Sequence, residues 1–454
     1  VTRVSAAAMG TGVYPGKNGI FGNSIYEPEI DKYQAVNTGT MENIERLIKV
    51  RPNGIVHVKT LAERFAEHSL KYAAVSSGTP GSSFLLNPVA ANNCVLINGY
   101  FKRNERVAFP ENVNREIQNR YPAPEDETRP EQTFGNRVSW TEDILRDYVL
   151  EELDSDIIVN WIAEPDHSQH YYDVGSPQVT EMIRIVDQKV KEVVNRITEK
   201  GEFEETNFFI LSDHGYSKCS HAINLEERLI TDGLKAGSES EDTIIVDNEE
   251  IAFIHVKDRN HEKVREIVEY LQQQKWTDVI FTAPKDQGEQ GIIKGTFSLD
   301  FINLWNEKSG PDIVVTFPWS SGKNEYGYPG LDYDVGNFTG KIEGARSSHG
   351  SLSPYVMRNV MFALGPGFKR DVTSYIPVNI LDLAATILHI YGLETKDGLD
   401  GRVIDEIFSH NAAVEKIPVS ILTHYAENIA FNYKAILQMY YAEGKKYLDK
   451  GWRL

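Results

Sequence analysis

Along the chain, short apolar runs alternate with stretches in which apolar residues return every three or four positions. The first kind reads as buried strands, the second as helices packed by one face. The strand candidates are Lys71–Ser76 (KYAAVS), Asp156–Ile162 (DIIVNWI), Asn207–Leu211 (NFFIL), Asp312–Phe317 (DIVVTF) and Val356–Leu364 (VMRNVMFAL). A helix-like Leu61–Leu70 precedes the first of them. After Pro177, the residues Val179, Met182, Ile183, Val186, Val190, Val193, Val194 and Ile197 step by threes and fours, as one helical face requires. Pro377 opens a further helix to about Tyr391, with Gly392 placed to end it. Strands alternating with helices predict an α/β fold: a three-layer, open, mostly parallel sheet with helices on both faces.

Two regions break the rhythm. Residues 87–138 are rich in Asn, Pro and charge and read as an irregular insertion. Residues 222–345 carry their own elements, including a helix from His261 to about Gln273, and form a predicted inserted cap. Residues 1–408 are thus one domain with two insertions. The aromatic tail, 409–454, is predicted to be a helical extension packed on that domain.

Composition narrows the functions open to such a fold. The formal net charge of -19 leaves no basic surface for a nucleic-acid duplex. The two cysteines, Cys94 and Cys219, cannot build a disulfide framework and are expected to be unpaired thiols. The longest apolar stretch, Val378–Leu393, is interrupted by Asp382 and His389 and does not read as a membrane span. Asn337-Phe338-Thr339 fits a glycosylation acceptor, a triplet common by chance.

Two of the strands run into metal-ligand chemistry. In IIVNWIAEPDHSQH, Asp166 and His170 lie just past the strand, four apart, so a helical turn puts both on one side. In NFFILSDHGYS, Asp213 and His214 stand at the strand end, before a turn marked by Gly215. A third segment, ARSSHGSLSP, holds His349 in a loop. Carboxylate oxygen with imidazole nitrogen suits zinc, and this set exceeds what one tetrahedral ion needs. Ligands of open α/β sheets bind beyond the carboxyl ends of the strands, where these residues fall.

The same segments resemble a known family. EPDHSQHYYDVGSP is similar to the Pro-Asp-x-x-Gly-His-x-x-Gly-Pro signature of the type I phosphodiesterase/nucleotide pyrophosphatase branch of the alkaline phosphatase superfamily. LSDHGY resembles its Ser-Asp-His-Gly-Met element, and TGVYPGKNGIFGNSIYEP its Thr-Gly-x-Tyr-Pro-x-x-x-Gly-Ile-x-x-Asn stretch. SSHG followed by FALGPGF, and LDLAATILHIYGL followed by DGLDGRVI, fit as well. Gln169 replaces the signature Gly, and Tyr171–Ser176 is longer than the family's link to Gly-Pro.

The resemblance implies a phosphate-ester hydrolase with two divalent metal ions, zinc by preference. Counting back from Gly12 gives Thr2 as the nucleophile, forming a covalent phospho-threonine. Ser5 stands where the family carries a substrate-binding Asn. One ion is implied at Asp166, His170 and His349. The other is implied at Asp213, His214 and the Thr2 oxygen, with a further Asp from a strand upstream of Val1. The implied substrate is a small phosphate ester or nucleotide-like molecule. The residues fix no compartment, while the resemblance implies export to the periplasm or outside the cell.

Other readings stay open on the same residues. A phosphomonoesterase, a phosphonate hydrolase and a non-catalytic binding protein share the fold. A sulfatase is disfavoured, because no Cys or Ser lies in a Cys/Ser-x-Pro-x-Arg setting. Arg3 and Lys17 could steady a phosphate, but a solvated role is expected for each. Trp161, Tyr171 and Tyr172 could stack on an aromatic group, or serve as core or rim residues.

Overall fold

The computed structural model describes residues 1–51, 54–88, 94–100, 106–335, 347–393, 398–410 and 417–454. The Asn337-Phe338-Thr339 triplet and the expected end of the cap at Ala345 lie outside these residues.

The fold is α/β, with helices around several sheets. Strand Tyr72–Ser76 pairs in parallel with Cys94–Asn98 on one side and Ile157–Trp161 on the other. It is buried along its whole length, as a central parallel strand should be. The helix before it, Leu61–Glu67, starts at a reciprocal cap between Thr60 and Glu63. Helix Pro177–Glu199 starts where Ser176 caps the Val179 amide.

Four expectations need correction. The tract 87–138 is not irregular: Cys94–Asn98 joins the main sheet, and helices Glu111–Arg120 and Pro130–Ile144 follow. CVLIN is a short, unbroken apolar run, and the polar residues around it masked that signal. Parallel pairing is also less general than expected. Met361–Leu364 pairs antiparallel with Phe208–Leu211, and Ile313–Thr316 belongs to the cap, antiparallel to both its neighbours. A continuous apolar run reports burial, not strand direction. The late helix begins at Ile380, not Pro377, because Asn379 and Asp382 form a capping box there.

The tail is the fourth correction. It is a three-stranded antiparallel sheet, Val419–Asn428, Tyr433–Ala442 and Lys445–Arg453, not a helical extension. Buried residues alternate with half-buried ones along Lys445–Arg453, the period of a strand. Glu443 (φ 50°) and Gly444 (φ 74°) make the two-residue left-handed turn that hairpins favour.

The cap is a five-stranded sheet, with Ile313–Thr316 at its centre and helix His261–Gln273 packed on it through Val264, Ile267, Val268 and Leu271. The tail shares that core through Ala426, Tyr433, Ala435 and Leu437. Polar contacts stitch the two together. The Tyr433 hydroxyl donates to the Asp278 carbonyl at 2.6 Å, and the Arg453 amide donates to the Asp278 carboxylate. Among the described residues, no helix is long and apolar enough to cross a membrane, and both cysteines are free thiols.

Asp278 gives this junction a pH dependence. Burial pushes its carboxyl up to about 8, against the pull of Arg453. An unfolded aspartate titrates near pH 4. The folded state therefore holds the proton more tightly, and that stabilisation is complete below about pH 4 and is lost as pH rises toward 8. Asp278→Asn removes the titration. Its unfolding free energy relative to the parent should rise by roughly 1–3 kcal/mol between about pH 5.5 and pH 8.5. Urea melts at the two pH values test this; a difference independent of pH would contradict a buried neutral acid.

Candidate active site

The site is assembled from chain segments far apart in sequence. Helix Thr2–Thr11 buries Ala6, Ala7 and Ala8 against helices Pro80–Leu86 and Ile380–Ile390. Small side chains permit that approach: a Cβ on Gly10 would lie 3.2 Å from the Leu85 carbonyl oxygen. The helix ends at Gly12, whose φ of 73° favours glycine. Its other end carries Thr2 into the site.

Asp166 opens the short helix Asp166–Tyr171, and His170 follows one turn later, its Nε2 3.7 Å from the Asp166 carboxylate. The strand Phe208–Leu211 delivers Asp213 and His214. The loop then closes on the Tyr355 carbonyl oxygen, 2.2 Å from any Cβ at Gly215, so only glycine fits there. Ser347–Ser348 pairs antiparallel with Ser217–Ile223 and brings in His349.

All six of the expected catalytic and metal residues meet. Thr2 Oγ1 lies 3.5 Å from His214 Nε2. His214 Nε2 is 3.3 Å from Asp213 and 3.8 Å from Asp166. His349 Nε2 is 3.5 Å from Asp166, and the rings of His214 and His349 stack at 3.5 Å. Asp166, His170 and His349 lie close enough together to hold one metal ion. Ser5 turns away from this cluster: its hydroxyl donates to the Asp213 carbonyl oxygen at 3.1 Å and steadies that loop.

Burial and neighbouring charges shift the titration of the clustered side chains. Burial lowers His170, and burial with the neighbouring His349 charge holds His214 well below the usual range, so both imidazoles are neutral. His170 Nδ1 faces the Ser347 carbonyl oxygen at 3.1 Å, which leaves Nε2 to the cluster. Burial and the Asp166 charge raise Asp213 to about 6. Burial opposes ionisation of Asp166, but His170, His349 and His214 outweigh it and hold the carboxyl well below the ordinary range. His349 goes the other way: despite burial, Glu249 and Asp166 raise it to about 9. Both ring nitrogens of His349 are buried without a well-aligned hydrogen bond, and Nε2 lies 2.9 Å from the Glu249 carboxylate.

A cleft of about 360 Å³ opens over the cluster. Its wall contains Arg3, Asn23, Trp161, His167, Tyr100 and Glu249 besides the clustered residues. Asn23, His167 and Glu249 carried no site expectation. Asn23 is the final Asn of the GIFGN stretch and was readable; Glu249 sits in an unremarkable acidic DNEE run. Arg3 is not simply solvated. It lines the cleft, its amide donates to Asn23 at 3.1 Å, and its Nε is buried without a hydrogen bond. Lys17 pairs with Asp400 outside the cleft. Of the aromatic candidates only Trp161 reaches the cleft; Tyr171 packs beside Phe134, and the Tyr172 hydroxyl donates to Glu131 at 2.5 Å. A larger cavity of about 510 Å³ lies at the junction of cap and tail and holds none of the clustered residues.

Comparisons with known proteins agree with this geometry. The sequence model of the type I phosphodiesterase / nucleotide pyrophosphatase family matches residues 1–317. No curated protein matches. Among solved structures, murine ectonucleotide pyrophosphatase / phosphodiesterase 5 is similar with a TM-score of 0.52 at 14% identity, over 87% of this chain and 84% of its own. An inactive form of that murine protein in complex with AMP gives 0.50 at 15%, over 86% and 83%. A mutant of the alkaline phosphatase PafA gives 0.61 at 13% identity, over 90% of each chain. At such identities the structural likeness speaks for the fold, while the family match spans most of the sequence. The chain belongs to the type I phosphodiesterase / nucleotide pyrophosphatase family.

Proposed function

We propose that the chain is a metal-dependent hydrolase of phosphate diesters and nucleotide-like pyrophosphates, acting through a covalent intermediate on Thr2. The observation that carries this reading is the meeting of Thr2 with five Asp and His ligand candidates at the floor of one cleft, in a member of this family. Asp166, His170 and His349 would hold one divalent cation, and Asp213 and His214 a second, with zinc the ion best suited to such ligands. Bound there, the cations neutralise phosphoryl charge and lower the pKa of the threonine hydroxyl.

The residues of the chain do the rest. Thr2 Oγ1 bonds to phosphorus as the bond to the leaving oxygen breaks, and the leaving group departs with a proton from solvent. Water then cleaves the phospho-threonine, releasing a phosphate monoester and restoring the hydroxyl. Thr2 stands in the first turn of its helix, where unpaired amides and the helix dipole favour an anion. Asn23 and Arg3 line the wall and are suited to hold the non-bridging oxygens. Asn23 takes over here the role expected of Ser5. Tyr100, Trp161 and His167 offer rings to an aromatic leaving group or a base. Arg3 is the one Lys or Arg among the described wall residues, and a singly charged diester suits the cleft better than a doubly charged monoester.

Thr2→Ala should cut kcat/KM on a bis-aryl phosphodiester by roughly a thousandfold or more, while Thr2→Ser retains part of the activity. Activity in Thr2→Ala close to the parent would remove the covalent route. Chelation should abolish turnover and added zinc restore it, with the diester preferred to the aryl monoester. A clear monoester preference would overturn the diesterase reading, and a well-folded holoprotein devoid of metal and activity would favour a binding role.

A further inference from the structure

Asp173 stands just past the helix that carries Asp166 and His170, in the link Tyr171–Ser176 where the sequence departs from the family signature. It does not line the cleft, yet it is only 3% exposed. A carboxylate so placed needs donors to replace water. Three supply them. Oδ1 accepts the Ser347 hydroxyl at 2.9 Å and the Val174 amide at 2.9 Å, and Oδ2 accepts the Lys218 ammonium at 2.6 Å.

Two of those donors belong to segments that deliver clustered side chains. Ser347 stands two residues before His349. Lys218 lies in the strand Ser217–Ile223, just after Tyr216, whose hydroxyl donates to Asp166, and shortly after Asp213 and His214. Ser347 and Lys218 are also paired across the antiparallel bridge between their segments. The Asp173 carboxylate thus forks across the loop of His349 and the strand after His214, while its own backbone continues the helix of His170.

Ser347 carries the effect into the cluster. It is fully buried, and its hydroxyl also accepts the Val174 amide at 3.3 Å. Its carbonyl oxygen lies 3.1 Å from His170 Nδ1. A carbonyl only accepts, so this hydrogen bond puts the imidazole hydrogen on Nδ1 and turns the bare Nε2 toward Asp166, 3.7 Å away. With the carbonyl displaced, Asp166 draws the hydrogen to Nε2 instead.

We infer that Asp173 is a positioning residue of the active site: through Ser347 it fixes the orientation and the tautomer of His170. The inference rests on the proposed function for its effect on turnover, and on the hydrogen-bond geometry alone for its effect on His170. An Nε2 that carries the hydrogen has no lone pair to offer a cation, so the same displacement impairs the site.

Ser347→Ala isolates the route, because it removes the hydroxyl and keeps both the carbonyl and the Asp173–Lys218 pair. Nitrogen-15 spectra of metal-free protein labelled at histidine read the tautomer, with the His170 signals assigned by their loss in His170→Ala. In the parent, His170 should carry its hydrogen on Nδ1. In Ser347→Ala and in Asp173→Ala the hydrogen should shift toward Nε2, and kcat of the zinc-loaded protein on a bis-aryl phosphodiester should fall roughly tenfold or more, with KM changed less than about twofold. A purely structural Asp173 would lower the melting temperature and leave the tautomer unmoved. That outcome, a hydrogen on Nε2 in the parent, or an unchanged kcat despite a shifted tautomer would each overturn the inference. If Asp173→Ala fails to fold, Ser347→Ala alone decides. A parent inactive with zinc would sink the proposed function, while the tautomer still decides the positioning role.

Discussion

Like charges do not share a buried cleft without something positive among them. Asp166, Asp213 and Glu249 all face the floor of this one, and desolvating each carboxylate costs several kcal/mol before their mutual repulsion is counted. Burial and Asp166 raise the Asp213 carboxyl, and Glu249 and Asp166 raise His349, which favours positive charge among the carboxylates. Burial favours the neutral imidazole at His170 and His214, so neither adds positive charge to the cluster. A divalent cation would satisfy the same electrostatics. The remaining geometry of the site follows from that demand.

The scaffold meets it with ordinary means. A buried Ala-rich helix brings Thr2 to the rim, one helical turn spaces Asp166 and His170, and a glycine-only approach at Gly215 folds the Asp213–His214 loop inward. Backbone carbonyls and Tyr216 orient the ligands: the Tyr216 hydroxyl donates to Asp166 at 2.5 Å. The cap, locked to the tail at Asp278, Tyr433 and Arg453, closes over the cleft and brings Glu249 with it.

Much of this was legible in the residues. Strand-end Asp-His pairs, the four-residue spacing of Asp166 and His170, and the position of Thr2 before Gly12 all marked residues that the fold brings together. Periodicity found helices Pro177–Glu199 and His261–Gln273 because each has one apolar face. It failed on the tail, where aromatic and charged residues of strands such as Tyr433–Ala442 also fit helical spacings; the Glu443-Gly444 turn was the deciding signal. It also failed on strand direction, which apolar runs do not encode. Glu249 left no local trace: a hairpin tip held against distant loops brings it to the cleft, a purely tertiary fact. Ser5 illustrates the converse, since a position in a motif did not say which way its hydroxyl turns.

Anomalous scattering at the zinc edge from crystals of the holoprotein tests the account most directly. It predicts a peak within about 2.0–2.2 Å of an oxygen of Asp166 and a ring nitrogen of each of His170 and His349, next to the Thr2 hydroxyl. Crystals with no peak there, and with those three side chains hydrogen-bonded to protein neighbours instead, would contradict it.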